Sequence, residues 1–229
     1  MLLSRVRVAP AYRKFCFDRT MSSLSSNPHI KVFPYPTTPS SSSFLLTYLE
    51  RNPPTPRLAI GTTTALPPTP QSFSENHDFL SILNDVLRKH AAQDPDLQAQ
   101  ARAFAGPGGA GLGSGGAFFL QQRTSRGGTK SRASSLGAGG GGGASGQGGA
   151  GGGGVGGHVH LSDLRNPPDY GRIASPEDIL GSIEVDGHGD IVGDFQPSGT
   201  YRILTNEGIL GLSDFLRTKL VERLREEEG

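Results

Sequence analysis

A glycine-rich tract at 106–157 divides this chain into two segments that can fold. The tract holds 24 of the 34 glycines, four basic side chains and no acidic one. Such a composition buries too little apolar surface to offset the roughly 1–2 kcal/mol of backbone entropy that each ordered residue costs. We therefore expect residues 106–157 to be a disordered linker.

The remaining sequence predicts one α+β domain in two parts. We expect a disordered tail or transit peptide at 1–27, the N-terminal part of the domain at 28–105 and its C-terminal part at 158–229. Each part alone is near the size at which a hydrophobic core is marginal, which favours a core that both parts share. The predicted fold is a small antiparallel sheet with packed helices, interrupted by the long disordered glycine-rich insertion.

Strand and turn signals alternate along the C-terminal part. His158–Leu161 alternates polar and apolar residues as a half-buried strand does, and the sequence Gly-His-Gly-Asp at 187–190 favours a hairpin turn. Ser175–Leu180 has the cap, the proline and the early acids of a short helix. Ser213 predicts the start of a last helix, whose apolar stripe contains Leu216, Leu220, Val221 and Leu224.

The N-terminal part shows three strand-like runs followed by two helices. The runs lie at 29–33, 44–49 and 57–62, and proline-containing stretches separate them. The spacing of serine and glutamate in Ser72–Glu75 is that of a capping box and predicts the start of a long amphipathic helix. Asp94–Pro95 then predicts the start of a shorter helix.

Charge is distributed unevenly along the chain. Residues 158–229 carry fourteen acidic and seven basic side chains, whereas 1–20 carry five basic side chains and one acidic one. Such a field can draw the acidic and basic segments together, or attract an anionic partner to the basic ones. The single cysteine, Cys16, excludes an intrachain disulfide framework. No apolar run approaches the roughly 18 residues that a membrane span requires.

The first twenty residues have the composition of a mitochondrial transit peptide. They are rich in arginine and apolar residues and contain one acid, Asp18. Against this, Pro10 interrupts the amphipathic helix that such a peptide forms, and Met21 offers a second start site. We expect a mitochondrial protein if 1–20 are a presequence, and a cytoplasmic or nuclear protein otherwise.

Three histidines are candidate metal ligands. His158 and His160 are two residues apart, so on a strand both side chains lie on one face, and His188 stands in the predicted hairpin turn. Together they suggest a small metal-dependent enzyme. The alternative is that these are ordinary histidines at exposed strand ends. The glycine tract lacks the flanking strand and helix of a phosphate-binding loop, and we expect no cofactor.

The basic tract raises a second alternative, that of an RNA-associated protein. Arg126-Gly127-Gly128 within Arg123–Arg132 is a single element of the kind that RNA-binding tails repeat many times. Near it, aromatic side chains are restricted to Phe118 and Phe119. Linker solubility explains the tract equally well.

Four blocks of the sequence resemble an uncharacterised family of proteins from filamentous fungi. The blocks are HIKVFPYP at 29–36, LAIGTTTALPPTP at 58–70, HVHLSDLRNPPDYG at 158–171 and PSGTYRILTNEGILGL at 197–212. The resemblance covers most of 28–104 and 158–228, begins after Met21 and skips the glycine tract. It implies that the two parts belong together. It carries no activity, ligand or site to this chain.

The sequence as a whole favours a non-catalytic protein that binds or assembles with another protein. The acidic C-terminal part offers the contact surface that we predict, which contains Tyr201, Arg202, Phe215 and Leu216. The identity of the partner and the oligomeric state stay open.

Overall fold

Antiparallel sheets and α-helices make up the fold. The computed structural model describes residues 21–35, 43–106, 156–168 and 172–229. Every strand pair in these ranges is antiparallel, so the predicted α+β class is confirmed. Three predictions lie outside the described residues: the transit peptide at 1–20, almost all of the linker, and the basic tract Arg123–Arg132.

The N-terminal part forms a five-stranded sheet in which neighbours in sequence are neighbours in space. Its strands are β1 (Ser22–Ser23), β2 (Lys31–Pro34), β3 (Phe44–Thr47), β4 (Gly61–Thr63) and β5 (Phe73–Glu75). Leu46 and its partner Val32 are buried in the main core, whereas Phe33 and its partner Leu45 lie in a second, smaller apolar cluster. This alternation follows from the two-residue period of a strand.

The predicted capping box at Ser72 is wrong, because Ser72 lies in a turn and the next three residues form β5 rather than a helix start. Helix α1 (His77–His90) is capped by Asn76, whose side chain accepts a hydrogen bond from the Asp78 backbone N–H at 3.1 Å. The same Asn76 amide donates to the Ala59 carbonyl at 2.7 Å, which ties the start of α1 to the loop before β4. Helix α2 (Pro95–Ala105) begins at Asp94 as predicted.

The C-terminal part contributes a three-stranded sheet, a two-stranded hairpin and a helix. The elements are β6 (Gly157–Ser162), β7 (Ile179–Val185), β8 (Gln196–Pro197), β9 (Leu204–Thr205), β10 (Gly208–Ile209) and α3 (Asp214–Glu228). The short helix that we predict through Leu180 is reduced to a single 3-10 turn at Pro176–Asp178, because β7 begins at Ile179 to pair with β6.

The predicted hairpin turn follows β7. The Asp186 carboxylate accepts hydrogen bonds from the backbone N–H groups of His188 and Asp190 at 2.8 and 2.9 Å. Gly189 has a φ of 87°, and a Cβ at this position would lie 2.8 Å from the Cα atom of Arg102 in α2. The turn therefore needs glycine both for its backbone conformation and for its close approach to α2.

One hydrophobic core contains residues from both sides of the glycine tract. Phe79 and Leu83 of α1 share it with Ile203 and with Leu220 of α3, and all four are buried. Polar contacts also cross between the two parts, among them the bond from Asn27 Nδ2 to the Leu210 carbonyl at 3.0 Å. In the described ranges, no helix combines the length and the apolar character needed to cross a membrane.

Candidate functional site

A cleft of about 600 Å³ lies between β5 and β9. All three residues of β5 and both residues of β9 line it, together with neighbouring polar side chains. Successive residues of a strand point to opposite faces of its sheet. A cavity that touches every residue of a strand therefore runs along the strand's edge rather than over one face.

The pairing of the described strands agrees with this position. β5 is the terminal strand of the five-stranded sheet, and β9 pairs with β10 alone among the strands that the structure describes. Each strand thus turns its second edge towards the cleft. Edges of this kind present backbone donors and acceptors that can pair with another strand.

The register of β5 shows which of its amides point away from β4. Thr64 donates to the Ser72 carbonyl at 3.1 Å, and Asn76 donates to the Ile60 carbonyl at 3.2 Å. In an antiparallel ladder these bonds alternate. Ser74 therefore faces β4, whereas the backbone groups of Phe73 and Glu75 face the opposite way. The Phe73 N–H already donates to the Thr69 carbonyl at 3.0 Å, so Glu75 provides the N–H that faces the cleft.

Charged side chains of both signs surround the cleft. Glu75 accepts a hydrogen bond from the Ile203 backbone N–H at 2.9 Å and so links the wall formed by β5 to the wall formed by β9. His77, Glu177 and Arg202 are exposed at the cleft. Donors and acceptors of this kind suit a ligand that carries both, such as a polypeptide backbone.

The buried Arg165 holds the β9 wall of the cleft in place. The side chain of Arg165 is 3% exposed and donates to the Asp178 carboxylate at 2.7 Å. The same guanidinium donates to the carbonyls of Ile203 at 2.8 Å and Glu177 at 2.9 Å. Because a guanidinium has five donors in a rigid fork, one side chain holds two separate segments in place, Glu177–Asp178 and the residue before β9.

Asp163 completes this buried network. It accepts hydrogen bonds from the backbone N–H groups of Arg165 and Gly211 and from the Tyr201 hydroxyl at 2.8 Å. Burial raises the pKa of Asp163, and the nearby Arg165 opposes the rise. Burial, followed by the adjacent Asp163 carboxylate, holds the pKa of Tyr201 well above its ordinary value. Tyr201 is therefore a neutral donor that anchors the approach to β9.

Two tyrosines give a matched test of this network. Tyr201→Phe should cost about 1–3 kcal/mol of unfolding free energy at neutral pH, because the buried Asp163 loses a hydrogen-bond donor. Tyr48→Phe should leave stability unchanged or raise it, since the buried Tyr48 hydroxyl has no hydrogen-bond partner among the described residues. Chemical denaturation of the purified variants measures both. Equal losses in the two variants would contradict the assigned role of Tyr201.

The same two substitutions should also change how the unfolding free energy depends on pH. Burial also raises the pKa of Tyr48. The folded pKa of each tyrosine exceeds that of an unfolded tyrosine. The contribution of each neutral phenol to the unfolding free energy is therefore complete below about pH 10 and is lost as the pH rises further. Each substitution should therefore flatten the fall in stability above pH 10 by about 1.4 kcal/mol per pH unit.

The predicted metal ligands do not come together as a site. His160 Nδ1 lies 2.8 Å from the Ser182 hydroxyl on the neighbouring strand, and burial followed by the charge of His158 lowers the pKa of His160. His158 is paired with Glu184 in the sheet register. His188 lies in the exposed turn. In the described part of the chain, no three histidine, cysteine, aspartate or glutamate residues are grouped to hold a metal ion.

The predicted partner-binding residues separate into different environments. Arg202 is exposed at the cleft. Tyr201 is half-buried with its hydroxyl on Asp163, and Phe215 is half-buried beside a second pocket. Leu216 is 1% exposed and belongs to the core. Its placement on a contact surface is therefore corrected: the stripe that includes Leu216 faces α1 and the core.

Of the residues that shape the cleft, sequence reasoning predicted Arg202 as a contact but missed Glu75 and Arg165. The sequence predicts a helix cap at Glu75, and Arg165 precedes two prolines in a loop where no local pattern marks a buried charge. Asp163 and Asp178 flank that loop and would have been the useful signal. Two acids and one arginine close to apolar strands are compatible with a buried ion pair, although many surface loops share that composition.

Comparisons with known proteins add no relative. No protein-family model matches this chain, and neither the curated proteins nor the solved structures contain a match. The resemblance to a filamentous-fungal family therefore stays a prediction.

Proposed function

We propose that this chain is a non-catalytic protein-binding module, and that its partner adds an extended segment between β5 and β9. The observation that carries the proposal is the cleft that runs along the second edges of both strands. A segment inserted there would pair with β5 on one side and with β9 on the other. Main-chain hydrogen bonds supply affinity in this mode of recognition, and alternate side chains supply specificity.

The volume of the cleft fits a short segment of a partner. A strand residue occupies about 3.4 Å along the strand, about 4.8 Å between strands and about 10 Å between faces, which is roughly 160 Å³. The cleft of about 600 Å³ therefore has room for roughly four residues. A longer partner segment would extend beyond the cleft at its ends.

The charges around the cleft support a polar partner. The exposed Arg202 favours an acidic side chain of the partner, and the neighbouring Glu177, whose carbonyl accepts from the Arg202 N–H, favours a basic one. The buried network around Arg165 keeps the β9 wall in place before binding, which lowers the cost of ordering it.

Selection of peptides from a phage-displayed library of random dodecapeptides tests the proposal. Peptides selected on the full chain should bind Glu75→Pro at least about tenfold more weakly than the parent, because proline removes the backbone N–H that faces the cleft. Glu75→Ala is the matched control, since it also loses the Glu75 carboxylate but keeps that N–H. We expect the alanine variant to bind within about threefold of the parent.

Hydrogen exchange of the peptide complex locates the contact. The amides of Glu75 and Leu204, which face away from β4 and β10, should gain protection when peptide binds, and thermal unfolding should show that both variants remain folded. Peptides that bind Glu75→Pro as tightly as the parent would refute the strand-addition proposal. So would protection confined to other parts of the chain.

The two alternative functions receive no support from the described contacts. The metal-dependent enzyme requires His158, His160 and His188 to act together, and no metal-binding group is found in 21–35, 43–106, 156–168 and 172–229. The RNA-associated function rests on the tract at 106–157, of which the structure describes only the ends.

A further inference from the structure

The described ranges contain three places where serine or threonine precedes a proline: Thr55-Pro56, Thr69-Pro70 and Ser175-Pro176. Proline-directed protein kinases transfer phosphate to a hydroxyl in this position. A residue before proline is biased towards extended geometry, which suits the groove of such an enzyme. The three hydroxyls differ in how far the fold engages them.

Contacts within the fold hold two of these hydroxyls. Thr55 is half-buried, and its Oγ1 donates to the Glu228 carboxylate at 3.5 Å. The Thr69 hydroxyl donates to the Ser72 hydroxyl at 3.1 Å. The Thr69 carbonyl accepts from the backbone N–H groups of Ser72 and Phe73 at 2.9 and 3.0 Å. An enzyme must break such bonds to reach either threonine, and at Thr69 it must also open the turn that leads into β5.

The Ser175 hydroxyl, by contrast, is accessible. Ser175, Pro176 and Glu177 are all exposed. The Ser175 side chain does not cap the 3-10 turn that follows it, and its hydroxyl makes no hydrogen bond in the part of the chain that the structure describes. Its φ of −57° and ψ of 144° are close to those of a polyproline II helix, an extended conformation. A kinase can therefore bind Ser175 without breaking a side-chain contact.

Ser175 also lies close to the cleft between β5 and β9. Glu177, two residues further along the chain, lines the cleft. Two residues span at most about 7 Å. The Glu177 carbonyl accepts from the Arg202 backbone N–H at 3.1 Å, and Arg202 lines the cleft as well. A charge on Ser175 therefore acts on the cleft from within about one Debye length, which is about 8 Å at physiological ionic strength.

We propose that Ser175 is phosphorylated by a proline-directed protein kinase, and that the phosphate changes which segments the cleft binds. The Ser175 oxygen attacks the γ-phosphorus of ATP. The new O–P bond forms as the bond from that phosphorus to the β,γ-bridging oxygen breaks, ADP leaves, and the hydroxyl proton passes to a carboxylate of the kinase. The product carries a charge of about −1.5 to −2 at pH 7.

Regulation of the cleft rests on the proposed function, since it requires a partner segment between β5 and β9. The phosphate adds to the negative charge of Glu177 and offsets the positive charge of the exposed Arg202. The modified cleft should therefore favour basic partner segments over acidic ones. For a partner charge about 8 Å from the phosphate, screened Coulomb interactions change the ratio of the two affinities by at least about fourfold.

Incubation of the full chain with a proline-directed kinase and MgATP, followed by mass spectrometry at early times, tests the site. Synthetic dodecapeptides centred on Thr55, Thr69 and Ser175 correct for the sequence preference of the kinase. The rate in the folded chain divided by the rate in the peptide should be at least about tenfold higher for Ser175 than for either threonine, because only the threonines have bonds to break. Equal ratios, or no phosphate on Ser175, would overturn the proposal.

A binding comparison tests the effect on the cleft. Lysine-rich and glutamate-rich variants of one peptide selected on the unmodified chain are titrated against the phosphorylated and unmodified chains. Phosphorylation should raise the affinity ratio in favour of the lysine-rich variant by at least about fourfold. Ser175→Ala treated with the same kinase is the control and should show no change. An unchanged ratio in the phosphorylated parent, or an equal change in Ser175→Ala, would overturn the regulation.

The phosphorylation site and the strand cleft fail distinguishably. The kinase rates involve no peptide ligand, so a lack of phosphate on Ser175 leaves strand addition in place. Peptides that bind Glu75→Pro as tightly as the parent would refute strand addition, and the regulation with it, but would not alter the rates at Ser175.

Discussion

Replacement of Arg165 with alanine should cost about 3–5 kcal/mol of unfolding free energy. The substitution leaves the buried Asp163 and Asp178 carboxylates without their cation, and it leaves the Ile203 and Glu177 carbonyls without a donor. Breaking a buried pair is expensive because the surviving charge stays out of water. Since small domains have a total stability of roughly 5–15 kcal/mol, this one change removes a large part of it.

Chemical denaturation with circular dichroism measures this loss, and Arg88→Ala is the matched control. Arg88 also pairs with an aspartate, at 3.1 Å, but both side chains are more than half exposed. The control should therefore change stability by about 0.5 kcal/mol or less. A similar cost for Arg88→Ala and Arg165→Ala would contradict the role of burial.

A triple variant tests the cause of the loss. Arg165→Met combined with Asp163→Asn and Asp178→Asn removes the cation and both carboxylate charges together. It should recover part of the stability lost in Arg165→Ala, since no buried charge is left unpaired. If the triple variant is less stable than Arg165→Ala, the hydrogen bonds that the Asp163 carboxylate accepts outweigh the cost of the unpaired charges.

Local patterns predicted the elements whose residues depend mainly on their neighbours in sequence. The last helix begins at Ser213 because the serine side chain accepts from the Leu216 amide, an interaction that needs four consecutive residues. The strand His158–Leu161 likewise shows its burial in its alternation. In both cases the information lies within one element.

Contacts between distant residues decided the elements that the sequence did not predict correctly. Ser72–Glu75 has the residues of a capping box, but pairing with β4 is the stronger constraint and makes Phe73–Glu75 a strand. The cleft depends on the distance between β5 and β9, which are more than a hundred residues apart in the chain. The buried pair of Arg165 and Asp178 depends on the path of a whole loop. No local period encodes these relations.

Because both parts of the chain contribute to one core, we expect them to unfold together. Leu220→Ala should cost about 2–5 kcal/mol, because Leu220 is fully buried in the core to which α1 and α3 both contribute. If the two parts unfold as one unit, the substitution must destabilise the N-terminal sheet as much as α3, although Leu220 is not part of that sheet. Val192→Ala is the control, since Val192 is exposed and should change stability by about 0.5 kcal/mol or less.

Hydrogen exchange at single-residue resolution distinguishes one cooperative unit from two. In Leu220→Ala, the amides of β3 should lose the same unfolding free energy as those of α3, because global unfolding exposes both. The glycine tract at 106–157 would then join two parts of one cooperative unit. Full protection of β3 alongside weakened protection of α3 would mean that the N-terminal part folds without the C-terminal one. The β9 wall of the cleft would in that case be able to detach from β5, and strand addition would require the two parts to dock first.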